Sequence, residues 1–369
     1  MKPRLLISIT AIAVLAALAI PLQFAAQDNR DGKQAKIVTI DAPGAGTSPG
    51  QGTSAFGINP SGAITGFARD ASDVRHGFLR DRDGTFTTFD APGAGTGSHQ
   101  GTRAYSINPA GAIAGWYSDA SGVVHGYLRA RDGSFTTFDV PGAAGTTGSF
   151  INPAGAIAGF YTDANNAGHG FVRAADGTIT TFDAPGAGTG SGEGTYVVTP
   201  SGGINPAGEI TGDSCDATTC HGFLRASDGT ITTFDPPGSA LTNGNGINPE
   251  GAITGEIGDA SGLAHGFLRA PDGSFTIFDA PGAGTATNQG TGGFGINPAG
   301  VITGFYIDTN NVMHGFVRAK HGDITTFDAP GAGTQPSQGS GPASINPAGA
   351  VTGFYIDGDN VFHGFLRTP

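Results

Sequence analysis

Cysteine is nearly absent: Cys215 and Cys220 are the only two in 369 residues. Their spacing is not the Cys-x-x-Cys of a redox-active pair, and a metal centre built on them would need two more ligands than His221 alone supplies. Charge is also scarce. Asp, Glu, Lys and Arg make up 13% of the chain, about half the usual ~25%. Acids outnumber bases, and the formal net charge of -12 argues against a nucleic-acid partner and against docking on an anionic membrane surface. No stretch carries a helical period of useful length. Glycine (65) and proline (23) together fall just under a quarter of the chain, short of the range where low complexity and disorder set in. The length suits two or three ordinary domains or one large all-β domain.

The N-terminus reads as an address label. Lys2 and Arg4 precede an uncharged apolar run over residues 5–20, Pro21 ends the run, and Ala25 and Ala26 follow. This is the layout of a secretory signal peptide over residues 1–26, and the run is short for a membrane span. The alternative is an uncleaved N-terminal anchor. No cysteine stands near the cleavage point, which argues against a lipoprotein. Residues 27–36 then form a short linker, and 37–369 the folded domain.

That domain is one unit written seven times. An Ile-Asn-Pro or close relative has its Asn at 59, 108, 152, 205, 248, 297 and 346. Asn to the following His is 17 residues in six units and 16 in the fourth. His to the next Asp is 14 in every case, whereas Asp to the next Asn varies from 13 to 22. Two segments therefore hold register and one is a tolerant loop. Within residues 104–139, short strands are expected at 104–107, 112–117, 124–130 and 134–139. Asn108-Pro109-Ala110-Gly111 has the signature of a type I turn, and Arg131-Asp132-Gly133 that of a three-residue hairpin loop. A four-stranded antiparallel unit of this length, repeated, points to a β-propeller. The expected fold is all-β: a seven-bladed β-propeller. The chain enters on a fourth strand (residues 37–41) and leaves on a third, so the N-terminal strand can complete the last blade and close the ring. A linear solenoid has no use for that offset.

Seven equal histidines argue for structure over chemistry. With the hairpin loop between them, each His faces the Asp 14 residues on, and an imidazole N–H can reach the carboxylate. The expected braces are His76–Asp90, His125–Asp139, His169–Asp183, His221–Asp235, His265–Asp279 and His314–Asp328. In the last unit the partner of His363 must be Asp41, from the other end of the chain. The glycine after each His implies that a backbone or ring approaches closely. Cys215 and Cys220 flank a turn and are expected to form a disulfide. The Asp-Ala-Pro-Gly-Ala-Gly runs read as turns whose Asp accepts from local backbone, since a phosphate loop would need a following helix and a Lys. The Asp-Gly hairpins resemble fragments of calcium loops but lack their ligand set, so calcium could serve only as a structural ion and no other cofactor is expected.

A localised site should sit where the repeats differ. After the second-strand Gly, five units place an aromatic, but the fourth and fifth place Asp213 and Glu256. Drift on a solvated face and a carboxylate pair for acid–base work are both open readings. The loops before the first strands carry Gln51, Gln100, Glu193, Gln289 and Gln338, and Tyr196 follows Glu193. Amides on Gly-rich loops suit sugar or peptide contacts.

The run Ile-Asn-Pro-Ala-Gly-Ala-Ile-Ala-Gly at 107–115, followed by His-Gly-Tyr at 125–127, resembles the exported bacterial HAF repeats, named for a His-Ala-Phe motif. In this chain Gly replaces the Ala after every such His. The resemblance covers nearly all of residues 37–369. It implies export and a propeller-like repeat, and it supplies no catalytic residues. The expected protein is a secreted or periplasmic monomer acting as a binding or interaction module for an extracellular glycan or protein. It would have no nucleic-acid partner and no membrane span after signal cleavage. The alternatives are a hydrolase or lyase using Asp213 and Glu256, and a structural cell-surface protein.

Overall fold

The computed structural model describes residues 35–197 and 203–369. The expected signal segment and nearly all of the linker lie outside the described residues. Among the described residues every regular element is a strand, twenty-eight of them from β1 (Lys36–Ile40) to β28 (Phe362–Thr368). In the first unit β2 (Gly52–Ile58), β3 (Ile64–Arg69), β4 (Arg75–Arg80) and β5 (Phe86–Phe89) pair antiparallel in sequence order. The same arrangement recurs down the chain. Three hairpins join each unit, and all three use one device. In the second unit the N–H groups of Gly111, Gly122 and Gly133 donate to the carbonyls of Asn108, Asp119 and Ala130, each at 3.0 Å. These glycines have φ between 86° and 91°, the left-handed closure of a three-residue loop.

The first strands are longer than expected. That of the second unit runs Gly101–Ile107, because the Gly-Thr following Gln100 already pairs with the second strand. Gly101 also bridges in parallel to Arg75 in the preceding unit, with Arg75 O 2.1 Å from where a Cβ would stand. Five such bridges occur, at Gly52, Gly101, Gly194, Gly290 and Gly339. They belong to the five units with the longer loops. The third and fifth units enter by 13-residue connections, too short to make the bridge, so the pairings divide into one sheet of twenty strands and one of eight.

The core is repeated as well. The aromatic two residues after each His is fully buried: Phe78, Tyr127, Phe171, Phe223, Phe267, Phe316 and Phe365. Burying such a ring contributes about 1.5–3 kcal/mol. In units two to seven it meets edge-on the last Phe of the preceding unit, at 5.9 to 6.5 Å. For Phe78 no preceding unit exists in sequence, and Ile40 of β1 packs there instead. β1 in turn pairs antiparallel with β28 along its whole length, Lys36 opposite Thr368 and Ile40 opposite Gly364.

The seven asparagines join the units to one another. Each Oδ1 accepts the N–H four residues on, closing its own turn, as Ala112 does to Asn108 at 3.0 Å. Each Nδ2 donates to the backbone carbonyl of the next unit's Asn, from Asn59 to Asn108, then to Asn152, Asn205, Asn248, Asn297 and Asn346. Asn346 donates to Asn59 O at 3.2 Å, across 287 residues of sequence. All seven side chains are buried, so each bond replaces water at a cost of ~1–3 kcal/mol if left unmade.

Candidate functional site

The described histidines of the repeat lie at the starts of third strands, on the end of the molecule opposite the asparagines. Nδ1–H of each donates to the Asp that ends the fourth strand, at 2.7 to 3.0 Å in all seven units. His363 and Asp41 make this contact at 2.8 Å. In six units Nε2 also lies 3.3 to 3.9 Å from a second carboxylate, that of the Asp opening the preceding turn. That second Asp was missed from sequence, although its place six residues before each of those histidines is plain. The fourth unit has a shorter turn and no such contact at His221. In four units a Tyr stacks on the imidazole at 4.8 to 5.0 Å. The glycine after the His lies under a Phe of the fourth strand: a Cβ at Gly126 would stand 2.5 Å from Phe138 Cε2.

The Asp of the Asp-Ala-Pro-Gly runs was expected to accept from local backbone. Its hydrogen bond instead goes to the His, and the following N–H finds a threonine hydroxyl, as Ala91 does to Thr102 Oγ1 at 2.9 Å. The turn is closed separately, by Ala94 N–H to Ala91 O.

The loop amides proposed as contact groups are turned into the protein. Gln51 Oε1 accepts from Ser48 N–H and its Nε2 donates to Ala71 O. Gln100 spans in the same way from Gly97 to Ala120, Gln289 from Ala286 to Asn311, and Gln338 from Gln335 to Gly358 and Asn360. Gln51, Gln289 and Gln338 are buried. These four are staples between a loop and the neighbouring turn, with the polar groups committed to the fold. Glu193 fills the corresponding place and accepts from Gly190 N–H at 3.0 Å. Tyr196 donates to Glu193 O and lies edge-on against Phe160 at 5.2 Å.

Asp213 and Glu256 occupy second-strand positions that insert against the first strand of the following unit. Asp213 Oδ1 accepts from Gly244 N–H at 2.9 Å. Glu256 accepts from Asn243 Nδ2 at 3.0 Å and lies over Gly292. Burial pushes the Asp213 carboxyl up to about 8, against the Gly244 hydrogen bond and with the Glu256 charge adding to the rise. Glu256 is raised by burial, with Asn243 opposing. The pair are electrostatic neighbours, and Asp213 can hold a proton at neutral pH. Cys215 and Cys220 are cross-strand partners joined as a disulfide. Among the described residues no cluster of three or more His, Cys, Asp or Glu is arranged to hold a metal ion, and no helix is long and apolar enough to cross a membrane.

One arc of the array was not singled out from sequence. Arg69, Arg75 and Arg103 gather beside Tyr105 and Trp116. The signal was present, since their sister positions in the other units carry no basic residue.

No protein-family model matches this chain, and no curated protein matches it. Solved structures match in fold. A streptogramin B lyase structure superposes with a TM-score of 0.56 at 15% identity, over 90% of this chain and 97% of that one. The chain has a β-propeller-like fold. A puromycin hydrolase superposes with a TM-score of 0.50 at 10% identity, over 86% of this chain and 50% of that one, so the propeller-like array spans about half of that enzyme. At such identities the likeness concerns architecture alone.

Proposed function

We propose that the chain is an exported seven-bladed β-propeller, closed by β1 as the outer strand of the last blade, and that it acts as a monomeric binding module for an extracellular glycan or protein. The cyclic relay of seven asparagine hydrogen bonds is the observation that carries the architecture, together with the β1–β28 pairing. A closed array of equivalent units leaves only the short fourth strands as sheet edges and presents its variable loops and turns at the two ends, which suits recognition. The disulfide fits an oxidising compartment, and the resemblance to HAF repeats agrees with export. The binding role rests on how the symmetry breaks: the hydrogen-bonded frame is constant while the side chains along the inner strands change from unit to unit.

A second reading has its own observation. Asp213 is buried, Glu256 in the next unit is half-buried and its charge acts on Asp213, and a carboxyl titrating near 8 is suited to general-acid work. That supports a hydrolase or lyase on the same scaffold. One experiment separates the two. Residues 27–369 are applied to an array of neutral and acidic oligosaccharides, and the hits are incubated and analysed for cleavage, alongside Asp213→Asn. Binding without cleavage, unchanged in the variant, is expected. Cleavage lost in Asp213→Asn establishes the enzyme reading, and the absence of both binding and cleavage removes the glycan arm of the proposal.

A further inference from the structure

Three guanidinium groups converge where the first and second units meet. Arg69 and Arg75 are cross-strand partners, and Arg103 comes from the next first strand. Arg75 Nη1 and Arg103 Nη2 both donate to one acceptor, His99 O, the second at 3.2 Å. Arg69 Nη1 donates to Gly50 O at 2.5 Å. None of the three has a carboxylate within 4 Å among the described residues. Arg75 and Arg103 are each more than nine-tenths buried, and Arg69 Nε, Arg75 Nε and Arg103 Nη1 are enclosed without an acceptor. Burial lowers Arg103 to about 9 with Arg75 repelling it, and lowers Arg75 to about 10 with Arg69 repelling it; the pull of Tyr105 and Asp73 on Arg75 is smaller.

Such a cluster is costly in a folded protein. Like charges taken out of water destabilise one another unless an opposite charge joins them. The chain has many acids, yet among the described residues none is ion-paired with these three, and Asp73 acts on Arg75 only from beyond contact. The repeated arginines Arg129, Arg173, Arg225, Arg269, Arg318 and Arg367 each lie singly over a Phe of the preceding unit, and Arg129, Arg225, Arg269 and Arg318 also enclose nitrogens without an acceptor; what sets the trio apart is that three guanidinium groups converge. The trio belongs to no such series.

Its surroundings are those of a ligand site. Arg103 lies 3.9 Å above the Trp116 ring, which holds the guanidinium plane fixed. Tyr105 stacks on Trp116 at 6.1 Å and meets Phe67 at the same distance. Phe67, Arg69, Tyr105 and Trp116 all retain partial exposure, so the cluster is closed behind Arg103 and open at Arg69. We propose that this basic cluster, flanked by Phe67, Tyr105 and Trp116, binds the oxyanion of an acidic ligand, a carboxylate or a sulfate or phosphate ester, as its counter-charge. Planar guanidinium groups donate to such oxyanions in two-point hydrogen bonds, and the neighbouring aromatic rings suit a ring carried beside the anion. The inference deepens the binding reading and names the charge of the group recognised.

Trp116 is the only tryptophan, so its fluorescence reports on this cluster alone. The protein is titrated with glucuronate, sulfate, phosphate and, as neutral control, glucose, at constant ionic strength. A saturable change is expected with at least one anion and none with glucose, and the preferred anion identifies the source of the oxyanion. Arg69→Gln, a partly exposed position where folding should persist, weakens that binding at least tenfold. Arg75→Met, checked for its β-sheet signal by circular dichroism, does the same. No saturable change with any anion, or equal affinity in a folded Arg69→Gln protein, overturns the inference. Binding of neutral sugars on the array with no anion effect at Trp116 would overturn it while leaving the wider binding reading in place.

Discussion

At the scale of single residues, each repeated side chain does two jobs, and the sequence shows only one of them. An Asn before Pro reads as a turn residue, and its Oδ1 does close the turn. Only the fold reveals that Nδ2 reaches the neighbouring unit, which is why Asp, an equally good turn residue without the amide donor, stands at none of the seven positions. The histidines behave alike: one carboxylate follows from hairpin register, the other from a turn whose curl had to be seen. Their titration carries a pH signature. Burial pulls His76 down, but Asp90 and Asp70 together outweigh it and hold it above its ordinary 6.5; His314 is raised likewise between Asp328 and Asp308. Asp70 is opposed by burial and lowered below 3.8 by the Val74 and Ser72 N–H groups and by His76. A raised His stabilises the fold below pH 6.5 and loses that contribution as pH rises through its folded value. A lowered Asp stabilises above pH 3.8 and loses it on acidification. The pair therefore contributes most between about pH 4 and 6.5. Urea unfolding of His76→Gln should show a larger loss at pH 5.5 than at pH 8, no more than about 1 kcal/mol for so exposed a pair. An equal loss at both values would remove the electrostatic account.

At the scale of elements, strand and turn order was legible because each hairpin carries its own punctuation. Asn-Pro-x-Gly, Asp-x-x-Gly and x-Asp-Gly differ in sequence yet build one loop geometry. Strand length was less legible. Gly-Thr after Gln51 or Gln100 reads as loop, since glycine weakens any strand pattern, and only the parallel bridge to the neighbouring unit draws it into the sheet. The loop glutamines looked free for the same reason: their acceptors come from a turn some twenty residues away. The disulfide lies wholly within one hairpin and closes a loop of a few residues. Chain-entropy arithmetic gives it about 2 kcal/mol, close to the least a disulfide supplies. Cys215→Ser with Cys220→Ser should lower the free energy of unfolding by that amount and leave the circular dichroism spectrum unchanged. Loss of the β signal at room temperature would show that the fourth unit depends on the bond.

At the scale of the whole molecule, sequence periodicity reached the repeat, the phase offset and the pairing of the two ends, because these follow from strand order alone. It could not reach the distribution of charge around the inner strands. Which face a side chain takes depends on register within each unit: Asp213 and Glu256 stood out as a break in the repeat, but their insertion against the next first strand did not, and Arg103 drew no notice until the neighbouring units were in place. The acidic arc lies in the fourth and fifth units and the basic arc in the first and second, both held by the same frame. That frame depends on the N-terminal strand closing the array against the C-terminal one. The direct test is a crosslink at a facing pair, Val38→Cys with Leu366→Cys, in a Cys215→Ser, Cys220→Ser background. Mild oxidation should convert the protein to an internally bridged monomer that migrates faster than its reduced form on a denaturing gel. Free thiols, or only intermolecular dimers, would contradict closure and the cyclic molecule built on it.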